Sequence, residues 1–518
     1  MRAETKGAVK NSVSRLIFAA LSVLVQVLWI LYLLVRLNAY STWISLGTSV
    51  LSFILVLHIY GREMNAGMKM PWIMLILLFP IMGVCLYLFC GHSSATKGMR
   101  KRFHATWERL RVYLRKDDPA MEKLKVQDVT AYHQCYYIGH KVGYPLYENT
   151  DVVFYKEAAD GFHAQIEEMK KAQKFIFMEY HAIEDREAFA EMKAVLFAKA
   201  KEGVEIRIVY DDVGSVGFIS PEFVKQMKTH GIDCRIFNPM MPVLNIFMNN
   251  RDHRKITVID GRVGFTGGYN LANEYFNITH PYGVWKDSGV RLEGEAVRSL
   301  TLIFMEMWNA IRDTDTEYEK YLPDGVFEAK GGGYVQPYAD SPLDRERVGE
   351  NVYMNIIKGA TEYVYFITPY LIISDEMKRE LGLAAKRGID VRIVTPGIPD
   401  KKLVYRLTRS YYAGLIRDGV RIYEYTPGFC HAKQCICDGK IATVGTINLD
   451  YRSLYFHFEN GVYLYDVPAI KDIREDFEEV FAVSTEVGNN YHTARSPLKR
   501  LGCLLYTSPS PRDKRQSR

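Results

Sequence analysis

The pattern His-x-Lys-x4-Asp-x6-Gly-(Gly or Thr)-x-Asn occurs twice in this chain, and a polar signature of that length, once repeated, requires two halves that fold alike. The first copy carries His253, Lys255, Asp260, Gly267, Gly268 and Asn270, and the second carries His431, Lys433, Asp438, Gly445, Thr446 and Asn448 at the same spacings. In each copy a mostly apolar run, residues 256–259 or 434–437, leads into Asp260-Gly261 or Asp438-Gly439, a favoured two-residue hairpin signal. Each copy therefore reads strand, turn, strand. Residues two apart on a strand share a face, so each His points with its Lys.

The duplication reaches beyond the motifs. Residues 175–181, a helical run and residues 202–211 are echoed by residues 364–370, a helical run and residues 387–396, and residues 230–239 match 418–427. Strand, helix, strand in each half implies an α/β sheet covered on both faces. The offset between the halves falls from 185 at Gly203 and Gly388 to 178 at the two histidines, so the first half carries extra residues ahead of His253. They are placed at residues 240–248, an uncharged and mostly apolar stretch with either a core role or lipid contact at the mouth of the site.

Two such units facing each other gather two imidazoles and two ammonium groups around one pocket. One imidazole can attack a phosphodiester while the other protonates the leaving group, the cations and Asn amides offset phosphoryl charge, and no metal is required. The motif resembles that of the phospholipase D superfamily. More narrowly, residues 44–500 resemble the bacterial cardiolipin synthases, on residues 265–270, 423–433 and 448–453 and on a pair of apolar segments near the start. Departures are small: Ser374 stands where a proline is usual, and Cys430 replaces a larger apolar residue.

The resemblance implies two pseudo-symmetric phospholipase D-like α/β domains that share one active site, preceded by transmembrane helices. It implies a phosphatidyl group passed between phosphatidylglycerols through a phosphohistidine on His253, with His431 as acid and then base; the pseudo-symmetry leaves the reverse assignment open, and a phospholipase D-type hydrolase or another phosphatidyltransferase is the alternative. Lys255, Lys433, Asp260 and Asp438 fall in the catalytic set and Asn270 and Asn448 on the phosphate, although the residues themselves read Asp260 and Asp438 as fixing the hairpins. An acidic residue orients each ring: Asp287 lies 34 residues past His253 and Glu459 lies 28 past His431, with Glu274 a competitor in the first half. Neither metal nor other cofactor is expected. The expected partners are phosphatidylglycerol, other phospholipids and the membrane, not nucleic acid; oligomeric state is left open.

Three apolar stretches, residues 16–35, 44–60 and 72–90, suit membrane crossings better than a cleaved leader. Cations flank both ends of the set, Arg2 to Arg15 and Lys97 to Arg102, which three crossings cannot all place inside. The expected arrangement is a multi-pass cell-membrane segment over residues 1–91, a basic connector over 92–147, and cytoplasmic domains over 148–325 and 326–500. The connector lies on anionic headgroups or is a solvated helix. Residues 501–518 turn Ser/Pro/Arg-rich and read as a disordered, non-native tail. A net charge of +6 suits an anionic membrane surface and nucleic acid alike.

Other chemistries fit less well. Cys430, His431, Cys435 and Cys437 suggest zinc, but the first copy has no cysteine there, so these thiols read as small strand residues. No Gly-x-Ser-x-Gly marks a serine hydrolase. A tethered nuclease needs a basic and aromatic groove that neither motif offers, and a silent scaffold would not need both His, Lys and Asn sets intact.

Overall fold

The structure is a computed structural model that describes residues 42–91, 94–114, 119–240, 249–322 and 327–488, with single positions between 17 and 32. The chain divides into two units, and the larger, Met99–Pro239 with Arg251–Thr493, holds both motifs.

That unit contains two mixed sheets of one topology. The first runs in the order Thr150–Tyr155, Gly289–Gly294, Val263–Gly267, Lys255–Ile259, Phe175–Tyr180, Glu205–Asp211, Asp233–Phe237. The second runs Tyr334–Asp340, His457–Tyr465, Ile441–Gly445, Gln434–Cys437, Tyr363–Ile367, Asp390–Pro396, Arg421–Tyr425, and is extended by Ser484–Glu486. In each, the three strands that alternate with helices pair in parallel, while the motif hairpin joins them antiparallel. The Asp-Gly turns have the expected conformation: φ is 52° and 68° at Asp260 and Gly261, and 50° and 66° at Asp438 and Gly439, positive at both central residues as a type I′ turn requires.

Two short crossings join the halves. Arg251–Asp252, just before His253, pairs in parallel with His457 and Phe458, and Gly428–Cys430, just before His431, pairs in parallel with Val284–Lys286. The helix Val297–Ile311 packs against Lys255–Ile259 of one half and Tyr334–Asp340 of the other. It is buried on nearly every face, Ser299, Thr301, Glu306 and Asn309 included.

The connector is helical over Ser94–Leu110, Pro119–Gln127 and Val129–Tyr136. Phe103, Thr106 and Leu110 form its buried stripe, Phe103 stacking on Phe458 with ring centroids 4.7 Å apart, while Arg100, Lys101 and Arg102 stay exposed. Its apolar side thus serves the catalytic unit and its cations face outward.

In the smaller unit the stretch at 44–60 lies in the helix Thr42–Tyr60. The stretch expected as one crossing at 72–90 is instead broken into Ala66–Leu78, Pro80–Leu86 and a wide turn at Tyr87–Gly91. Pro80 is the cause: it supplies no N–H and drives Phe79 out of helical geometry, to φ −134° and ψ 75°. Among the described residues no helix is long and apolar enough to cross a membrane. Most of residues 16–35, residues 241–248 and everything after 488 lie outside the described residues.

Candidate active site

The two crossings bring the motif histidines to carboxylates of the opposite half. The His253 amide donates to the Phe458 carbonyl at 2.9 Å, and the His431 amide donates to the Lys286 carbonyl at 2.7 Å. Each acceptor directly precedes an acid, so both imidazoles land beside one. His253 Nδ1 lies 3.0 and 2.9 Å from the two Glu459 oxygens, and His431 Nδ1 lies 2.7 Å from Asp287 Oδ2. The spacings counted each acid from the histidine of its own half; the pairs are in fact exchanged. Glu274 takes no part in them, its carboxyl being partly buried and raised by that burial.

The two acids are supported differently, which explains the one motif position that varies. A side chain at Gly268 would run into Asp287 Oδ1. At the matching place Thr446 Oγ1 instead donates to Glu459 Oε2 at 2.5 Å, and Ser453 Oγ donates to Oε1 at 2.6 Å. An ionised carboxylate only accepts, so each Nδ1 carries the ring proton and Nε2 is left with the lone pair.

Lys433 Nζ stands 2.7 Å from His431 Nδ1. Because that nitrogen's proton is given to Asp287, the contact is a close approach of charge rather than a second hydrogen bond. Lys433 donates to the His431 carbonyl, as Lys255 does to the His253 carbonyl at 2.6 Å. Burial dominates the ionisation of all four groups. It lowers Lys255 to about 7, against Glu459, and Lys433 to about 8, against Asp287 and Glu459. Burial and then Lys433 lower His431 to about 3, against Asp287. Burial, Lys255, His181, Lys433 and His431 together hold His253 well below the ordinary histidine range. Asp287 stays below the usual carboxylate range despite its burial, because Lys433 and His431 face it. Two neutral imidazoles beside two buried ammonium groups make a site that an anion completes.

Asn270 accepts from the Ala182 amide at 3.2 Å and donates to Tyr275 Oη at 2.7 Å. Asn448 is buried, and its Oδ1 has no hydrogen-bond partner among the described residues. Asp260 and Asp438, expected in the catalytic set, are corrected to a structural position at the far end of the motif strands. Asp260 accepts the backbone amides of Gln173, Lys174 and Phe175, and Asp438 those of Thr361, Glu362 and Tyr363, all at 2.7 to 2.8 Å. They clamp each hairpin to the start of the neighbouring strand.

The surroundings of the two rings differ. His431 is faced by Trp285, Tyr275 and Phe429, with ring centroids 5.2, 5.3 and 5.7 Å away. His253 is faced by two further imidazoles, His181 at 5.2 Å and His457 at 5.3 Å. Sequence reading missed His181, His457, Thr446 and Ser453. Aligning Asp287-Ser288-Gly289-Val290 with Glu459-Asn460-Gly461-Val462 sets His457 opposite Trp285 and exposes this asymmetry. Among the described residues, His253, His457 and Glu459 also group their ligating atoms within 4.8 Å of one another. Cys430, Cys435 and Cys437 are buried free thiols and belong to no such group there.

Residues 165–308 and 353–481 match the family model described as cardiolipin synthase, PLD-like domain, and residues 50–92 match one described as Phospholipase_D-nuclease N-terminal. An uncharacterised protein of Streptococcus mutans is 41% identical over 432 residues, which cover 83% of this chain and 94% of that one. Cardiolipin synthase 2 of Bacillus cereus is 32% identical over 86% of this chain and 87% of its own length. The cardiolipin synthase of Halalkalibacterium halodurans is 32% identical over 84% and 88%. Among solved structures, the phosphatidylserine synthase of Haemophilus influenzae shares the fold, with a TM-score of 0.54 at 14% identity over 71% of this chain and 96% of that chain.

Proposed function

Since the chain belongs to the cardiolipin synthase family of phospholipase D-like proteins, we propose that it is a membrane-bound phosphatidyltransferase that joins two phosphatidylglycerols into cardiolipin and releases glycerol. The observation that carries the chemistry is the exchanged pairing: both imidazoles are held by Nδ1, which leaves Nε2 of each for chemistry at phosphorus. His253 Nε2 attacks the first phosphatidylglycerol, and His431 gives its proton to the departing glycerol oxygen, leaving a phosphatidyl–His253 adduct. The neutral His431 then removes the terminal hydroxyl proton of a second phosphatidylglycerol, whose oxygen displaces His253. Lys255, Lys433, Asn270 and Asn448 hold the phosphoryl oxygens through both steps.

The acid needs a proton that burial and Lys433 work against. A phosphodiester against the ring acts in the opposite sense, so substrate binding and proton uptake go together. The asymmetry of the surroundings supports the division of roles. Aromatic faces stabilise a cation, and Trp285, Tyr275 and Phe429 stand around His431, the ring that must become imidazolium before the leaving group departs.

The N-terminal unit is read as the membrane anchor, with the catalytic unit on the cytoplasmic side. Its helix Thr42–Tyr60 is predominantly apolar. It exposes Phe53 (62%) and Leu57 (54%), and Leu78 is 72% exposed on the next helix, an apolar surface that suits lipid. Transfer is tested by incubating the purified full chain in phosphatidylglycerol vesicles with labelled lipid and a metal chelator. Cardiolipin and free glycerol in equal amounts are expected. Phosphatidic acid as the sole product would make the protein a hydrolase.

A further inference from the structure

We propose that His253, His457 and Glu459 form a binding site for a zinc-like divalent cation, whose occupancy switches the catalytic site off. Glu459 oxygens lie 3.0 and 2.9 Å from His253 Nδ1, and Oε1 lies 3.5 Å from His457 Nδ1. A tetrahedral zinc with bonds of about 2.0 to 2.1 Å holds its ligating atoms about 3.3 to 3.5 Å apart. The Glu459 carboxylate already stands near that spacing from each ring, and the ligating atoms of the two rings lie within 4.8 Å of one another.

His457 has no other employment in the fold. Its side chain is only 11% exposed, yet Nδ1 has only the long 3.5 Å approach to Glu459 Oε1 and Nε2 has no hydrogen-bond partner among the described residues. A buried imidazole in that condition is costly, and such groups call for an explanation. The place matched to it in the first half holds Trp285, so the half-site symmetry does not require a histidine there. Glu459 is supported as ligating carboxylates are, by the Thr446 and Ser453 hydroxyls on its two oxygens. His457 also lines a small cleft shared with Asp340, Asp344 and Glu346, opposed by the one guanidinium of Arg347. Asp344 and Glu346 along that route favour entry of a divalent cation, while burial pushes Asp340 up to about 8 and leaves it mostly neutral.

Occupancy would act through the tautomer. The cation takes the place of the proton on His253 Nδ1, and a neutral ring bound there carries its single proton on Nε2. The Nε2 lone pair that attacks phosphorus is then gone, and Glu459 is held by the cation. Removal of the cation returns the proton to Nδ1 and restores the nucleophile. The switch rests on the proposed role of His253; the cation site does not.

The two parts are read separately in the full chain. Equilibrium dialysis against zinc, and the visible spectrum of the cobalt form, are compared for the unaltered protein, His457→Asn and His457→Gln, all checked for native circular dichroism. One zinc per chain is expected, with a cobalt spectrum lacking thiolate charge-transfer bands, and both variants should lose that equivalent. Zinc retained by both variants, or a thiolate spectrum, would place the cation on cysteines and overturn the site. Transferase activity of the unaltered protein should fall in proportion to zinc bound and return with chelator, while the activity that each variant shows in chelator, whatever its level, should not change when zinc is added. Undiminished transfer at full occupancy would overturn the switch. Absence of transfer in chelator alone would count against the proposed function, whatever the dialysis gives.

Discussion

Replacing Glu459 with glutamine keeps the shape of the His253 partner and removes its charge, which makes it the sharpest probe of the exchanged pairing. Glu459 receives four hydrogen-bond approaches, two from His253 Nδ1, one from Thr446 and one from Ser453. An amide cannot accept from all of them, and it leaves the ring free to adopt the wrong tautomer. A carboxylate-to-amide change behind a catalytic imidazole costs about 10⁴ in kcat, about 5.4 kcal/mol of transition-state stabilisation. A second consequence follows from Lys255, since Glu459 is the largest influence that keeps its ammonium charged against burial. Its value of about 7 should drop further in Glu459→Gln, moving the alkaline fall in activity to lower pH.

The assay is cardiolipin formation across pH, joined to a burst measurement with a phosphatidyl ester of a good leaving group that needs no acid. If Glu459 serves His253 and Asp287 serves His431, Glu459→Gln loses the burst, while Asp287→Asn keeps it and stalls at the adduct. A Glu459→Gln enzyme that stays within about ten-fold of the parent, well short of about 10⁴, would refute the reasoning. So would loss of the burst in Asp287→Asn alone.

Lys255 and Lys433, lowered by burial to about 7 and about 8, should lose their hold on the phosphodiester as pH rises past those values, so kcat/KM falls on the alkaline side. Stability moves the other way. Between about 7 and the ordinary lysine value of 10.5 the unfolded chain binds the protons that folded Lys255 does not, so unfolding free energy rises with pH across that window and is lost as pH falls through it. Lys255→Met should flatten this slope in a Tm series while lowering kcat by about 10²–10³. Asp438→Asn breaks a clamp on three amides at a partly exposed site and should cost about 1–3 kcal/mol in urea unfolding while leaving kcat per folded molecule nearly unchanged. Trp285→Leu removes an aromatic face from His431 and should lower the acid limb of the kcat profile by about 0.4–1.5 pH units, the range set by about 0.5–2 kcal/mol of cation–π interaction.

What was legible in the sequence is what short-range pattern encodes. Six matched positions in each copy carried the duplication, and Asp-Gly after an apolar run carried both type I′ turns, because turn chemistry is local. Alternation of strand and helix carried the parallel strands of both sheets for the same reason. Pro80 was equally visible, yet the stretch at 72–90 was read by its hydropathy alone, and the break lies where the proline demands it. The exchange of Asp287 and Glu459 lay beyond reach, since it is made by two strand crossings of two and three residues. No periodicity marks segments so short, and their partners lie about 150 to 200 residues away, where loop closure adds only a weak, length-insensitive cost. Asp260 and Asp438 went astray for a related reason. A spacing shared by the two copies says that a residue is required, not at which end of the strand, and a strand of five residues rises about 3.3 Å at each step, enough to carry the aspartate away from the histidine with which it is counted. The asymmetry between a ring among aromatics and a ring among imidazoles follows from the same exchange. His457 and Trp285 each face the motif histidine of the other half, so no reading confined to one half brings them to the ring they modify.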